Sequence, residues 1–320
     1  MDLIRRLEQE LNETSQHAEQ IKADLTRLKG QENDPSLCPV KMSELIEEDL
    51  SAFDWLIPQL VIAQGVGIIA GDGGTGKSFL AQHMGLCIAS GKKFMEFGIT
   101  RPRKVLYLAA EGARLPLRDR LMRACRTLLI DPKNVPFYVQ HGALSKFHFD
   151  SDEFRRLIFA TSPDVVFCDT LGYFFGGDEN DSSEWKRRVM EPINEIRRDI
   201  GTAFIIVHHK NKTGESGRRG GRGTSAMYDD VDHWFDLNLT KELHQNPELL
   251  SDPTRGRDRI FLVSKNKYSE NQFTAFRVRA DFRNAIFEQV PYELPDTKET
   301  GKSEDADEQG VIELEDTFGG

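Results

Sequence analysis

The sequence predicts an α/β fold with a mostly parallel sheet flanked by helices, an antiparallel C-terminal edge, and a heptad-patterned helix in front. Three observations carry this. Between residues 66 and 208, apolar runs of strand length alternate with stretches of helix length, the pattern that puts parallel strands beneath helices on both faces. The first strand runs into a glycine-rich turn and then straight into a helix. Beyond residue 224 the pattern changes to residue-by-residue alternation with turn signals, which reads as hairpins.

Length and charge set limits on this fold. The 320 residues give room for one large domain with appendages. The net charge of −10 is unevenly placed. Residues 293–320 hold ten acidic and two basic side chains, a net −8, which leaves residues 1–292 at −2. The body is therefore nearly neutral, and any basic patch in it must be local. Cys38, Cys87, Cys125 and Cys168 are scattered without a C-x-x-C pair, as expected for reduced thiols in a cytoplasmic protein. The start is amphipathic rather than secretory, and no apolar stretch approaches the length of a membrane span, so no membrane partner is expected.

Taken in order, residues 1–30 place Ile4, Leu7, Leu11, Thr14, Ala18, Ile21, Leu25 and Leu28 alternately three and four apart, the a and d positions of a heptad. A coiled coil and a single amphipathic helix lying on its own body or on a neighbouring subunit both fit that spacing. Residues 31–40 are polar and proline-marked, a linker. Residues 54–60 lead into a core spanning 41–292. Its strands are expected at 66–70, 104–110, 135–140, 164–169 and 202–208, and its helices at 79–84, 115–130, 152–160 and 184–199. Alternating segments at 259–264 and 273–279, then 284–289, form the antiparallel edge. Residues 293–320 are acidic and poor in aromatics, the composition of a disordered tail.

The glycine-rich turn is the most specific motif. Gly71, Asp72, Gly73, Gly74, Thr75, Gly76, Lys77 and Ser78 fit G-x-x-x-x-G-K-[ST], and Phe79 opens the helix. The strand–loop–helix context aims backbone N–H groups and the helix dipole at a phosphate. Lys77 is then expected on the β- and γ-phosphates of ATP and the Ser78 hydroxyl on Mg²⁺.

Ligands in such sheets bind at the carboxyl ends of the strands, so polar residues there are the candidates for chemistry. Glu111 follows one strand directly and is placed to polarise a water for attack on the γ-phosphate. Asp169 ends the run Val165-Val166-Phe167-Cys168, a costly place for a carboxylate unless it holds Mg²⁺ or its water. His208 and His209 end the next strand, where a polar side chain can sense the γ-phosphate. The segment 210–223 follows, with five basic residues, one acid and five glycines. Lys210, Lys212, Arg218, Arg219 and Arg222 make it the strongest basic patch in the chain, suited to a nucleic-acid backbone. With no aromatic residue in it, base stacking is not expected there.

With these elements in order, residues 50–290 resemble the RecA-like ring ATPases, specifically the hexameric replicative helicases that include DnaB and the plasmid helicase RepA. The likeness rests on Trp55-Leu56-Ile57-Pro58, the loop 71–78, Tyr107-Leu108-Ala109-Ala110-Glu111, Cys168-Asp169-Thr170, Val207-His208-His209-x-x-Lys212, Arg222-Gly223-Thr224-Ser225 and Val263-Ser264-Lys265-x-x-Tyr268. The resemblance implies that Glu111 is the catalytic base, Asp169 the Mg²⁺-binding acid and His209 the γ-phosphate sensor. It also implies that ATP sites form between subunits of a ring, with Lys265 and Lys267 reaching into the neighbour's site. Two departures bear on that last role. Lys265-Asn266-Lys267 stands where DnaB-like members have Lys-x-Arg, and Asp232 stands where RepA-like members carry an arginine. Either Lys267 serves as the trans-acting cation, or Arg222, Arg257 or Arg259 does.

The expected function is ATP hydrolysis coupled to translocation on single-stranded DNA by a homo-oligomeric, hexameric helicase of bacterial, plasmid or phage origin. A replication or recombination partner would meet the N-terminal helix or the acidic tail. The alternatives are a recombinase or strand-annealing ATPase of the same fold, and a slow regulatory or scaffold ATPase.

Overall fold

The computed structural model describes residues 39, 41–47, 54–142, 147–179, 181–209, 222–270 and 274–290, with backbone alone for 222–225. The heptad, most of the linker, the acidic tail and residues 210–221 of the basic segment lie outside the described residues. The chain divides into two compact units, residues 1–52 and 53–320. In the first, the described residues form one helical turn, α1 (Met42–Leu45).

The second unit is built on a nine-stranded sheet, accompanied by the small hairpin β1 (Trp55–Ile57) and β2 (Val61–Ile62). Its parallel strands are β3 (Val66–Gly71), β4 (Val105–Ala109), β5 (Phe137–His141), β6 (Val165–Asp169), β7 (Ala203–His209) and β8 (His233–Leu239). β9 (Asp258–Asn266), β10 (Thr274–Asp281) and β11 (Ile286–Gln289) add the antiparallel edge. The order across the sheet is β11-β10-β9-β8-β3-β7-β6-β4-β5. The fold is the α/β class that the sequence predicts.

Strand alternation divides the core. Ile69, Tyr107, Phe167, Ile205 and Phe235 pack under α2 (Lys77–Ser90), with α3 (Arg114–Thr127) on the same face. Ile68, Leu106, Val166, Phe204 and Ile206 face α4 (Asp152–Thr161) and the helical region 182–200. β3, β4 and β6 are buried at every position, as parallel strands covered on both faces must be. α4 begins with Ser151 capping the Phe154 N–H, a standard N-terminal device.

One expectation needs refinement and another correction. The helix expected over 184–199 is present and runs over 182–200 as α6 (Ser182–Trp185), a π-helical turn at Lys186–Met190 and α7 (Glu191–Ile200), with the short α5 (Leu171–Phe174) before it. Pro192 has no N–H to give to the carbonyl four residues back, and the wider turn absorbs the break. β8 has no counterpart in the sequence reading, which assigned hairpins alone beyond residue 224. It pairs parallel with β3 and antiparallel with β9, so it joins the two halves of the sheet. Its His233, Asp236 and Asn238 disguise a strand whose first five residues are buried. Asp236 is buried because the Trp234 Nε1–H (3.1 Å) and the Ser264 hydroxyl donate to it.

Candidate active site

Because β3 to β8 run parallel, Gly71, Ala109, Asp169 and His209 end at one edge of the sheet. The register sets His209 beside Gly71 and Asp169 beside Ala109 and Val207. One strand, β7, therefore separates the strand entering the phosphate loop from the strand ending in Asp169. The sequence-predicted residues Lys77, Ser78, Glu111, Asp169 and His209 come together at this edge.

The loop itself is shaped by close packing. A Cβ on Gly71 would lie 2.3 Å from the Leu237 carbonyl oxygen of β8, so no side chain fits there. Gly76 caps α2 with φ 102°, in the left-handed region that favours glycine. The Thr75 hydroxyl donates to the Asp72 carbonyl at 3.0 Å. Lys77 is almost fully buried, and its Nζ donates to the Gly71 and Asp72 carbonyls, both at 2.7 Å. The ammonium thus sits within the curl that the loop forms for a phosphate.

Asp169 anchors the opposite wall. Its Oδ1 accepts from the Ser78 hydroxyl at 3.0 Å and its Oδ2 from the Tyr107 hydroxyl at 2.6 Å. Burial raises the Asp169 pKa, and the two hydroxyl donors, with Arg120 and His209 behind them, offset only part of that rise. The Tyr107 hydroxyl is in turn pushed well above its ordinary range, first by burial and then by the Asp169 charge. Gln82 completes the cluster by donating to the Tyr107 oxygen at 3.4 Å.

A cleft of about 160 Å³ opens between these walls, lined by Ser78, Gln82, Glu111, Leu117, Arg120 and Asp169 among others. Glu111 and His209 are each about half exposed, with Glu111 Oε1 and His209 Nε2 3.9 Å apart. His208 turns the other way. It is buried, with Nδ1 3.9 Å from Glu179 Oε2, so the two histidines do not act on one ligand.

Ser78 Oγ and the Asp169 carboxylate are hard oxygen donors side by side at the phosphate loop, a pair that suits a divalent cation completing its shell with nucleotide and water oxygens. Among the described residues no group of three or more His, Cys, Asp or Glu could hold a metal. Ser78 and Asp169 are the residues that would hold Mg²⁺ if it arrived with a nucleotide.

The basic residues at the other end of the sheet are occupied within the chain. Lys265 Nζ donates to the Tyr228 and Asp229 carbonyls. Lys267 Nζ meets Asp232 Oδ1 at 3.3 Å. Asp232 also accepts from the Val66 N–H (2.9 Å), Arg197 (3.2 Å) and the Tyr268 hydroxyl (3.2 Å). Desolvation works against its ionisation, but these donors outweigh it and hold its pKa below the usual carboxylate range. Since β9 runs antiparallel to β8, Lys265 and Lys267 lie far from the phosphate loop of their own chain.

Arg259 cannot act across subunits, contrary to one of the sequence options. It is 2 % exposed, and its guanidinium donates to the Thr75, Gly256 and Asp258 carbonyls. It braces the phosphate loop from behind. Arg222 opens α8 (Arg222–Asp230), with its side chain outside the described residues, as are Lys210, Lys212, Arg218 and Arg219. Tyr107, Gln82, Arg120 and Asp232 are site or framework residues to which sequence reasoning gave no such part.

A phosphate loop, a buried carboxylate two strands away and a second carboxylate just after the neighbouring strand are the layout of a P-loop ATPase. A model of the AAA domain family matches residues 32–215, over half of the chain, and the chain belongs to that family. Among solved structures the chain is similar to the KaiC-like protein PH0186 of the archaeon Pyrococcus horikoshii OT3. The two share 14% identity over 75% of this chain and 95% of that one, with a TM-score of 0.48. Among the described residues, no helix is long and apolar enough to cross a membrane.

Proposed function

We propose that the chain is a DNA helicase or translocase that hydrolyses ATP at the interfaces of a homo-oligomeric ring and moves on single-stranded DNA. The observation that carries this is the Glu111–His209 contact at 3.9 Å. It joins the residue suited to activate the attacking water to the last residue of β7, after which the chain enters the basic segment 210–223. A change at the γ-phosphate thereby has a direct covalent route to the groups suited to a DNA backbone.

Within one subunit, backbone N–H groups of residues 72–78 and the Lys77 ammonium would bind and orient the phosphates. Ser78 and Asp169 would hold Mg²⁺, which neutralises charge building on the phosphate oxygens when bound. Glu111 would accept the proton of the attacking water, and His209 would donate a hydrogen bond that fixes the Glu111 carboxylate. Lys267, with Lys265 behind it, is the cation the chain offers to a neighbour's site. Asp232 and the Tyr228 and Asp229 carbonyls hold both lysines in place. A lysine supplies the charge there without the planar fork of an arginine.

Reversing the charges of Arg218, Arg219 and Arg222 tests the coupling. The expected result is loss of DNA-stimulated turnover with nucleotide binding retained. Undiminished stimulation by single-stranded DNA would overturn the assignment of this segment.

A further inference from the structure

α3 carries five arginines and one aspartate in fourteen residues. Two of the arginines are engaged inward. Arg120 lies over the Phe79 ring at 5.0 Å, and Arg123 donates to the Phe282 and Arg283 carbonyls and pairs with Asp119. The other three, Arg114, Arg118 and Arg126, are exposed and make no ion pair or side-chain hydrogen bond among the described residues. Some arginines elsewhere do find carboxylates: Arg103 has Asp54 and Asp164, Arg155 has Glu195 and Asp199, and Arg277 has Asp258.

The start of α3 adds to the imbalance. Ala113 offers no capping side chain, and the first turn has no acid. Arg114 therefore places a cation at the positive end of the helix dipole, which disfavours the helix unless an anion comes to it. Beside it, Leu115 is 73% exposed. The face thus asks for a partner that is acidic and also brings apolar side chains.

We propose that the acidic C-terminal segment, residues 293–320, docks on this arginine face of the same chain, at the mouth of the nucleotide cleft. Its ten acids against two bases supply the charge. Val311, Ile312, Leu314 and Phe318 are interleaved with Glu313, Glu315 and Asp316, so apolar contact to Leu115 comes with the same stretch. The chain also leaves the described residues nearby. Ile286 of β11 packs in one apolar cluster with Ala124 and Cys125 of α3, and the described chain ends four residues later at Val290. A random-coil chain of 28 residues would have a root-mean-square reach of about 30 Å, and tethering would give such a segment a high effective concentration on that face. Gly112, Leu117 and Arg120 of the adjoining stretch line the cleft. A docked tail would place negative charge where nucleotide phosphates must enter.

The test uses the full chain with a photo-reactive benzoylphenylalanine in place of Phe318, and maps cross-links by mass spectrometry in a mixture of light and heavy-isotope chains. Cross-links to residues 114–126 within one isotopic species are expected. Arg114→Glu, Arg118→Glu and Arg126→Glu together should cut their yield about tenfold, the product of three modest surface ion pairs. Glu313→Lys, Glu315→Lys and Asp316→Lys should do the same without touching the folded body. Combining both sets should restore the cross-links. Cross-links to residues 210–223, cross-links only between light and heavy chains, or a yield unaffected by either charge reversal would each overturn the proposal.

Discussion

Tyr107→Phe separates the metal-holding role proposed for Asp169 from its place in the core. The phenol ring stacks on Phe137 (6.1 Å, 24°) and Phe167 (6.0 Å, 20°), and phenylalanine keeps both contacts. What is lost is the 2.6 Å hydrogen bond to Asp169 Oδ2. A hydrogen bond to a charged group contributes about 1.5–3 kcal/mol, and Asp169 is only 5% exposed, so water replaces the donor poorly. Of a loss of about 2 kcal/mol, the part that displaces the carboxylate would weaken the hold on Mg²⁺ proposed for it. Partners that orient a metal ligand typically matter about 10–100-fold in metal affinity. ATP turnover measured against Mg²⁺ concentration at saturating nucleotide should show a half-saturation point about tenfold higher, with a thermal midpoint a few degrees lower in the same preparation. A folded Tyr107→Phe protein with the wild-type Mg²⁺ dependence would refute the idea that Tyr107 positions Asp169 for a metal.

Two further outcomes follow from the fold. In Gly71→Ala the added methyl meets the Leu237 carbonyl at 2.3 Å, a backbone atom in mid-sheet, and overpacking of this kind costs about 1–3 kcal/mol. A urea midpoint equal to the wild type would contradict that packing. His83 and His233 are both held down to about 4 by burial. The unfolded chain therefore binds more protons than the folded one below the ordinary value of 6.5, and stability present at neutral pH is lost as pH falls from 6.5 towards 4. At pH 5 this amounts to about 2 kcal/mol per histidine. Denaturant midpoints at pH 7.5 and pH 5 should show that fall, and His83→Gln should remove about half of it; an unchanged pH dependence in His83→Gln would refute the assignment.

The parts of the site that chemistry forces into sequence were legible there. Gly71 to Ser78 announce a phosphate loop because glycine is needed where backbone curls tightly, and Asp169 stands out because a carboxylate ending an apolar run needs a reason. Glu111 and His209 were picked out as candidates by asking what ends each strand, and they meet because parallel strands share one edge. Tyr107 was hidden for the opposite reason. A tyrosine in an apolar strand looks like core, and only the fold shows its hydroxyl aimed at Asp169. Arg120 lies on a helix whose facing depends on packing, and the burial of Arg259 against the Thr75, Gly256 and Asp258 carbonyls shows only in the fold. β8 was missed because buried Asp236 is tolerated through Trp234 and Ser264, partners far apart or unremarked in sequence. Asp232 acquires its four donors from β3, α7 and the end of β9, a convergence no local pattern encodes.

The most direct test of the motor reading is ATP turnover by the wild type and Glu111→Gln, each with and without single-stranded DNA. The expected result is turnover that DNA stimulates strongly in the wild type and that falls at least a hundredfold in Glu111→Gln with nucleotide binding intact, about the loss that follows removal of a general base. Robust turnover indifferent to DNA, or a Glu111→Gln protein as active as the wild type, would contradict it.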